Sequence, residues 1–373
     1  MKAKGDLEIF LATAPGLETV LCDEVKANGF RAPKAIPGGV TIEGRWHDVW
    51  RANLVIRGAS RVLARLDRFR VTHLTDLEKR ARKVKWADVL RPNVPFRVEA
   101  SCKTSRIYHS GAAAERIANA VTAELGAATS SEADVGITAR FENDVCTISI
   151  DTSGELLHKR GFKEAVAKAP MRENLAALFL RQCGYDGSEP IVDPMCGSGT
   201  FVIEAAEIAA RLMPGRARHF AFEQLATFDG AKWQTLRETK GAAAVTPAVR
   251  FFGGDRDTGA IAMSQANAER AGVTAWTEFQ QKTVSELTAP DGQPGLVIVN
   301  PPYGARIGDK KQLQPLYRSL GQTLLNKFPG WRVGLITADA QLAKSTGLPF
   351  KPTAAPVAHG GLRVTLFQTG PLG

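Results

Sequence analysis

Two stretches of this 373-residue chain combine residue types at a spacing that could do chemistry: Asn300-Pro301-Pro302-Tyr303 and, roughly a hundred residues earlier, Asp193-Pro194-Met195-Cys196-Gly197-Ser198-Gly199-Thr200. The first suits an exocyclic amine, whose lone pair is delocalised into its ring and so attacks poorly. The Asn300 side-chain oxygen and the Pro301 carbonyl can each accept one N–H, which draws the nitrogen toward tetrahedral geometry and aims its lone pair. Pro301 and Pro302 fix the backbone, and Tyr303 offers a face on which a flipped base can stack. Such a transfer depends mainly on positioning and on stabilising developing charge.

The second stretch reads as a ligand loop. Gly197 and Gly199 let backbone come close to a ligand, Thr200 opens the following helix, and exposed N–H groups there can meet an electron-rich ligand. Asp193 can accept bonds from an amino or hydroxyl group. The GxxxxGK[ST] form of a triphosphate cradle is missing, as is GxGxxG. Together the loop and the amine corner suit S-adenosylmethionine as methyl donor. The candidate cofactor residues are Asp193, Pro194, Met195, Cys196, Gly197, Gly199 and Thr200. Asp255 joins them because a carboxylate at a strand end suits a ribose diol; Asp257 reads as an N-terminal helix charge.

The elements that must position these residues alternate strand and helix. Strands are expected at Ile191-Val192, 250–255, 275–280, 296–299 and 331–337, with helices over 173–183, 200–212 and 258–271. A hairpin turning at Gly360-Gly361 follows. That alternation implies a mostly parallel sheet with helices on both faces and ligands at its carboxyl edge, a Rossmann-like α/β domain. Upstream lie two smaller α+β units. The first has strands at 7–13 and 40–42, a helix over 16–25, and helical spacing across 48–66. The second has a strand at 94–100, a helix over 112–125, and two strands around Asn143-Asp144. Neither buries a large core alone, so both are expected to pack as one module. The expected division is 1–66, 67–155 and 156–373, with an aromatic-rich insertion over 216–248.

Charge is concentrated in the upstream half. Residues 51–106 hold 15 Lys and Arg against 5 Asp and Glu, while the whole chain carries +10. Clustered cations gain affinity for a polyphosphate by releasing its counterions, which makes RNA the expected partner and Arg57, Arg61, Lys103 and Arg106 candidate contacts. The five cysteines form no CxxC pair or Cys/His cluster, so neither a metal nor a disulfide framework is expected. No apolar run spans a bilayer and the first residues lack a secretory apolar core; a cytoplasmic protein without membrane contact is expected.

Residues 193–204 (DPMCGSGTFVIE), Gly254-Asp255 and 300–306 (NPPYGAR) resemble class I S-adenosylmethionine-dependent RNA methyltransferases that carry a THUMP domain, above all the RlmL-type guanine-N2 methyltransferases of large ribosomal RNA. Ala14–Glu18 and Trp50–Leu54 resemble that family's ferredoxin-like part, Lys103–His109 its THUMP core, and 157–162 and 169–174 its connector. The resemblance implies a seven-stranded methyltransferase sheet behind RNA-holding modules. It implies methylation of a guanine N2 amine in ribosomal RNA, with an assembling large subunit as a further expected partner, and it adds Arg160 and Arg172 as RNA contacts. Where the family usually has an Asp near the adenine amine, Thr283 stands here and would accept that bond more weakly. The same reaction on tRNA, adenine-N6 methylation of DNA, and a non-catalytic RNA-binding assembly factor are the alternatives. A chain lacking residues 1–155 is expected to fold and bind cofactor yet scarcely methylate RNA.

Overall fold

The computed structural model of the protein describes residues 6–163, 171–303 and 310–373. The N-terminal half runs β1 (Leu7–Ala12), α1 (Glu18–Ala27), β2 (Arg31–Ile36), β3 (Gly39–Gly44), α2 (Trp46–Val55), β4 (Arg61–Arg70), α3 (Leu74–Ala81), β5 (Phe96–Lys103), α4 (Ser110–Leu125), β6 (Val135–Glu142) and β7 (Val145–Asp151). All seven strands join one sheet, ordered β2-β3-β1-β4-β7-β6-β5, so the two small α+β units share it. Asn143 and Asp144 turn the β6–β7 hairpin with φ of 52° and 62°, the doubly left-handed form that matches the twist of a tight hairpin.

The helical spacing expected across 48–66 is corrected. The helix stops at Val55, and β4 begins at Arg61. Ser60 donates its backbone N–H (2.8 Å) and its hydroxyl (3.1 Å) to the Ala12 carbonyl, which starts the pairing of β4 with β1. Val62 and Ala64 then alternate inward. Pairing with β1 on one side and β7 on the other overrides a local pattern that fits either element.

The C-terminal half runs α5 (Glu173–Gln182), β8 (Ile191–Asp193), α6 (Thr200–Ala209), α7 (Gly230–Gly241), β9 (Phe251–Asp255), α8 (Thr258–Ala271), β10 (Thr277–Gln281), β11 (Leu296–Val299), α9 (Lys310–Lys327), β12 (Arg332–Thr337), α10 (Ala340–Ser345), β13 (Val357–His359) and β14 (Leu362–Gln368). The second sheet is ordered β10-β9-β8-β11-β12-β14-β13. Its first five strands are parallel and β14 returns antiparallel to β12. The strand order reverses around β8, which places a crevice at the carboxyl ends of β8, β9 and β11. Val297, Val299, Tyr317, Leu320, Leu324, Phe328, Trp331 and Leu335 form a core cluster on this sheet. No helix among the described residues is long and apolar enough to cross a membrane.

The chain divides into two compact units that are not contiguous in sequence. The first includes Leu21–Leu157 and also Gly215–Lys240; the second includes His158–Pro214 and Gly241–Gly373, with Ala14–Val20. Within the first unit the insertion is stitched down by backbone. Gly215 donates to the Leu54 carbonyl (3.1 Å), Phe222 to Thr152 (3.1 Å) and Ala226 to Val89 (2.8 Å). Trp50 stacks on Phe222 (6.1 Å between centroids) and meets Phe228 edge-on (5.8 Å), while Trp233 meets Phe222 edge-on (5.0 Å). The aromatic residues of 216–248 are thus core of the first unit.

Candidate active site

The glycine loop leaves β8 and is fixed from three directions. Cys196 donates its N–H to the Gly254 carbonyl (2.9 Å), and Gly199 donates to Cys196 (2.8 Å). Asn267 of α8, fully buried, donates its amide to the Ser198 carbonyl (3.0 Å). Gly197 and Gly199 hold φ of 54° and 81°. A Cβ on Gly199 would lie 2.9 Å from Ser264 and one on Gly253 would lie 2.5 Å from the Phe279 ring. Glycine is therefore needed at both the loop and its neighbouring strand, where backbone and ring pack directly.

Two carboxylates flank the loop. The Asp255 carboxylate accepts the Gly197 N–H through one oxygen and the Asp257 N–H through the other, each at 3.0 Å. Asp193 is buried and accepts the Met195 N–H at 3.1 Å. Burial, opposed by that N–H and reinforced by the Asp255 charge, pushes its carboxyl up to about 8. A buried carboxylate of this kind gains from a cationic partner, and the ammonium group of S-adenosylmethionine supplies one. The loop's glycines, its amides and the two carboxylates fit that molecule: one acceptor for the ammonium, one for a ribose diol.

A pH dependence follows. The folded Asp193 carboxyl titrates above its unfolded value, so its contribution to folding is fully present below the ordinary aspartate range and is lost as pH rises through about 8. Binding a cation displaces the proton. Cofactor affinity should therefore increase from pH 6 to pH 8, by up to about tenfold per unit. Titration calorimetry in buffers of different ionisation heat should detect the released proton, and Asp193→Asn should abolish both effects. A flat pH profile in the wild type would contradict the assignment.

The amine corner follows β11, which is paired with β8 in parallel register (Val297 opposite Val192). Asn300 begins where the buried run Leu296–Val299 ends. Its Oδ1 is buried and accepts no hydrogen bond from the described residues. Such an orphaned acceptor costs free energy unless a ligand supplies the donor. The Tyr317 hydroxyl of α9 lies 3.3 Å from the Pro302 carbonyl and 3.2 Å from the Thr337 hydroxyl at the end of β12. This bracket holds the Pro-Pro backbone from behind. Tyr303 is half-buried, and burial pushes its phenol up to about 12, so the ring stays neutral. Gly304-Ala305-Arg306 lie outside the described residues.

Other expected site residues fall differently. Lys282 donates its N–H to the Asp255 carbonyl (2.9 Å), which ties the segment carrying Thr283 to the end of β9. The Thr283 hydroxyl donates to Glu286 (2.7 Å) and lies 3.1 Å from the Ser285 hydroxyl, and the bond from Thr283 holds the Glu286 carboxyl below its usual range. Arg160 is corrected as an RNA contact. It is fully buried with its guanidinium 3.1 Å from an equally buried Glu204 of α6. Arg57 is buried, and Arg61 pairs with buried Asp151 and the Gly154 carbonyl. Arg57 and Arg160 are interior cations, where an unpaired charge would be costly, and half-buried Arg61 is committed to buried Asp151. Lys103, Arg106 and Arg172 are exposed.

Lys163 is a site residue that the sequence reading missed. Its ammonium meets the Thr200 hydroxyl (2.8 Å), the Met171 carbonyl (3.1 Å) and Glu173 (3.1 Å), binding α5 to the first residue of α6 behind the glycine loop. Tyr317 was missed too. It lies in a helix that carried no recognised motif, and only the fold brings its hydroxyl to Pro302. No group of three or more His, Cys, Asp or Glu side chains among the described residues could hold a metal ion.

Comparison with known proteins matches residues 160–361 to the RMKL-like methyltransferase domain, residues 8–63 to the RlmL ferredoxin-like domain and residues 71–151 to the THUMP domain. The ribosomal RNA large subunit methyltransferase K/L of Psychromonas ingrahamii is 34% identical over 92% of this chain; the chain spans 47% of that relative. Among solved structures, SMU.472, crystallised with S-adenosylhomocysteine, superposes with a TM-score of 0.91 at 25% identity over the whole of both chains. A predicted N6-adenine-specific DNA methylase from Listeria monocytogenes superposes with a TM-score of 0.88 at 28% identity, covering 98% of this chain and 97% of that one. The matched methyltransferase domain and the neighbour crystallised with S-adenosylhomocysteine make S-adenosylmethionine the methyl donor. With more than half of its length matched to it, and the loop and amine corner in place at the sheet's carboxyl edge, the chain belongs to the RMKL-like methyltransferase domain family.

Proposed function

We propose that the protein methylates the exocyclic N2 amine of a guanine in structured RNA, large-subunit ribosomal RNA before tRNA. The observation that carries the reading is the Asn300 amide oxygen, buried and without a donor among the described residues, at a strand end adjacent to the glycine loop. S-adenosylmethionine supplies an electrophilic sulfonium methyl when bound. Asn300 and the Pro301 carbonyl accept the two N–H groups of the amine and hold its lone pair free for attack. Tyr303 keeps the extruded base in plane. Tyr317 and Thr337 keep the corner from yielding when charge develops on the nitrogen. As the N–C bond forms, the S–C bond breaks with its electron pair passing to sulfur, and the methylated nitrogen releases one proton to solvent.

Guanine and ribosomal RNA are supported by the resemblance of residues 193–204 and 300–306 and by the Psychromonas ingrahamii relative, a ribosomal RNA large subunit methyltransferase. The THUMP match and the exposed cations Lys103, Arg106 and Arg172 support RNA as the partner. The Listeria monocytogenes neighbour, a predicted N6-adenine-specific DNA methylase, favours a second reading, adenine-N6 methylation of DNA, because the corner reads an amine and not the ring that bears it. Methyl label should pass to unmodified ribosomal RNA and not to duplex DNA; the opposite preference would establish the second reading.

A further inference from the structure

The solvent face of the first unit's sheet is basic at one end. Arg70, Val145, Glu142 and Lys103 stand in one cross-strand row, and Arg68, Thr147, Arg140 and Ser101 in the next. Arg68, Arg70, Arg140 and Lys103 are exposed. Two carboxylates on the β6–β7 hairpin partly balance them: Glu142 lies 3.0 Å from Arg140 and 3.7 Å from Lys103, and Asp144 lies 3.9 Å from Arg70 and 3.8 Å from Arg106. The cations of these pairs stay exposed even where Asp144 is mostly buried, and at 3.7–3.9 Å the contacts of Arg70, Lys103 and Arg106 are loose, so these cations remain available to phosphate.

The loop from Lys103 to His109 rises from the edge of this face and is fixed along its length. Thr104 takes a left-handed φ of 48°. Arg106 donates its backbone N–H to the Asp144 carboxylate (2.8 Å), and Asp144 donates its own to the Ser105 hydroxyl (3.1 Å). Ile107 is buried, and the His109 imidazole accepts the Ala112 N–H (3.1 Å) to cap α4. Between those two anchors Tyr108 is 83% exposed, more than any other large hydrophobic side chain among the described residues. A lone exposed tyrosine would need no explanation. A tyrosine held out from a tethered loop, with exposed Lys103 and Arg106 on that loop and exposed Arg70 at the end of neighbouring β4, has the composition of a stacking platform within an electrostatic funnel.

We propose that this loop binds single-stranded RNA, with Tyr108 stacked on an unpaired base and Arg70, Lys103 and Arg106 on the flanking phosphates. The site rests on the reading of RNA as substrate and goes beyond it, because it selects unpaired nucleotides. The tethered loop needs little ordering when the base arrives, so the stack is not spent on fixing the chain.

The test is binding of a fluorescein-labelled single-stranded oligoribonucleotide and of an RNA duplex to the full chain, by anisotropy across a salt series. Tyr108→Ala should weaken single-strand binding about tenfold without changing the salt dependence, while Tyr108→Phe stays near wild type. Both variants should bind duplex RNA as the wild type does. Arg106→Gln should lower the slope of log affinity against log salt by about 0.7, one phosphate's worth. Unchanged single-strand binding by Tyr108→Ala would overturn the site, as would an equal loss on duplex. Failure of the wild type to bind either RNA would overturn the site together with the RNA reading beneath it. With 83% of the residue exposed, the ring supports no core, which removes folding as a cause of these effects.

Discussion

Asn300→Ala is expected to slow methyl transfer by at least about a hundredfold while leaving S-adenosylmethionine affinity close to wild type. The separation follows from where the residue sits. Asn300 follows β11 and no described residue donates to its side-chain oxygen, whereas the glycine loop is held by Gly254, Asp255 and Asn267. Removing the amide takes away an acceptor used when the amine nitrogen is driven toward tetrahedral geometry. Asn300→Asp keeps an acceptor oxygen in the same place and should retain more activity than the alanine variant. Steady-state transfer measured beside cofactor titration separates the two effects. Wild-type turnover in Asn300→Ala would remove the corner from the mechanism, and an equal loss of cofactor binding would make it a structural residue.

The second large effect concerns the insertion. Removing residues 1–157 should leave a methyltransferase fragment that aggregates, contrary to what the division of the sequence implied. Phe220, Phe222 and Trp233 are buried within the first unit, and each fully buried side chain of this size is worth about 1.5–3 kcal/mol. Exposing the three forfeits an amount comparable with the ~5–15 kcal/mol stability of a whole domain and creates an apolar patch. The same fragment should stay monomeric once residues 215–240 are replaced by a short linker and Ala14–Val20, the remaining segment of the second unit, is restored. A Cβ on Gly241 would stand 3.9 Å from Met213, and Val245 donates to Ala210 (3.0 Å), so the chain resumes the second unit close to where it left it. Size-exclusion chromatography and cofactor titration of the two fragments decide the matter. A monomeric, cofactor-binding fragment with the insertion intact would contradict the packing described.

These two results also mark what the sequence made legible. The placement of the glycine loop and of Asn300–Tyr303 at strand ends was legible because each depends on local chemistry: glycines at left-handed φ, an aspartate at a strand end, two prolines that stiffen four residues. The α/β alternation of the second unit was readable for the same reason, and helix α8 ends at Gly272 (φ 72°) as its capping glycine requires. What was not legible depends on distant pairing. Residues 61–66 share the helical spacing of 48–66 until β1 and β7 are set beside them, and β2 carries Pro33, which an edge strand tolerates. The insertion's aromatics resemble a local cluster, yet their partner Trp50 lies far upstream. Charge misled in a related way. Arg57, Arg61 and Arg160 belong to a basic chain, and sequence alone does not tell a surface cation from one paired with buried Asp151 or Glu204.

On the proposed reading, the Asn300 corner methylates a guanine N2 amine in RNA. This activity is tested most directly by transferring radiolabelled methyl from S-adenosylmethionine to unmodified ribosomal RNA and tRNA, then separating the RNAs and analysing their nucleosides. N2-methylguanosine in large-subunit ribosomal RNA is the predicted result. The same nucleoside in tRNA would keep the mechanism and move the substrate. N6-methyladenosine, or label in DNA alone, would contradict the account.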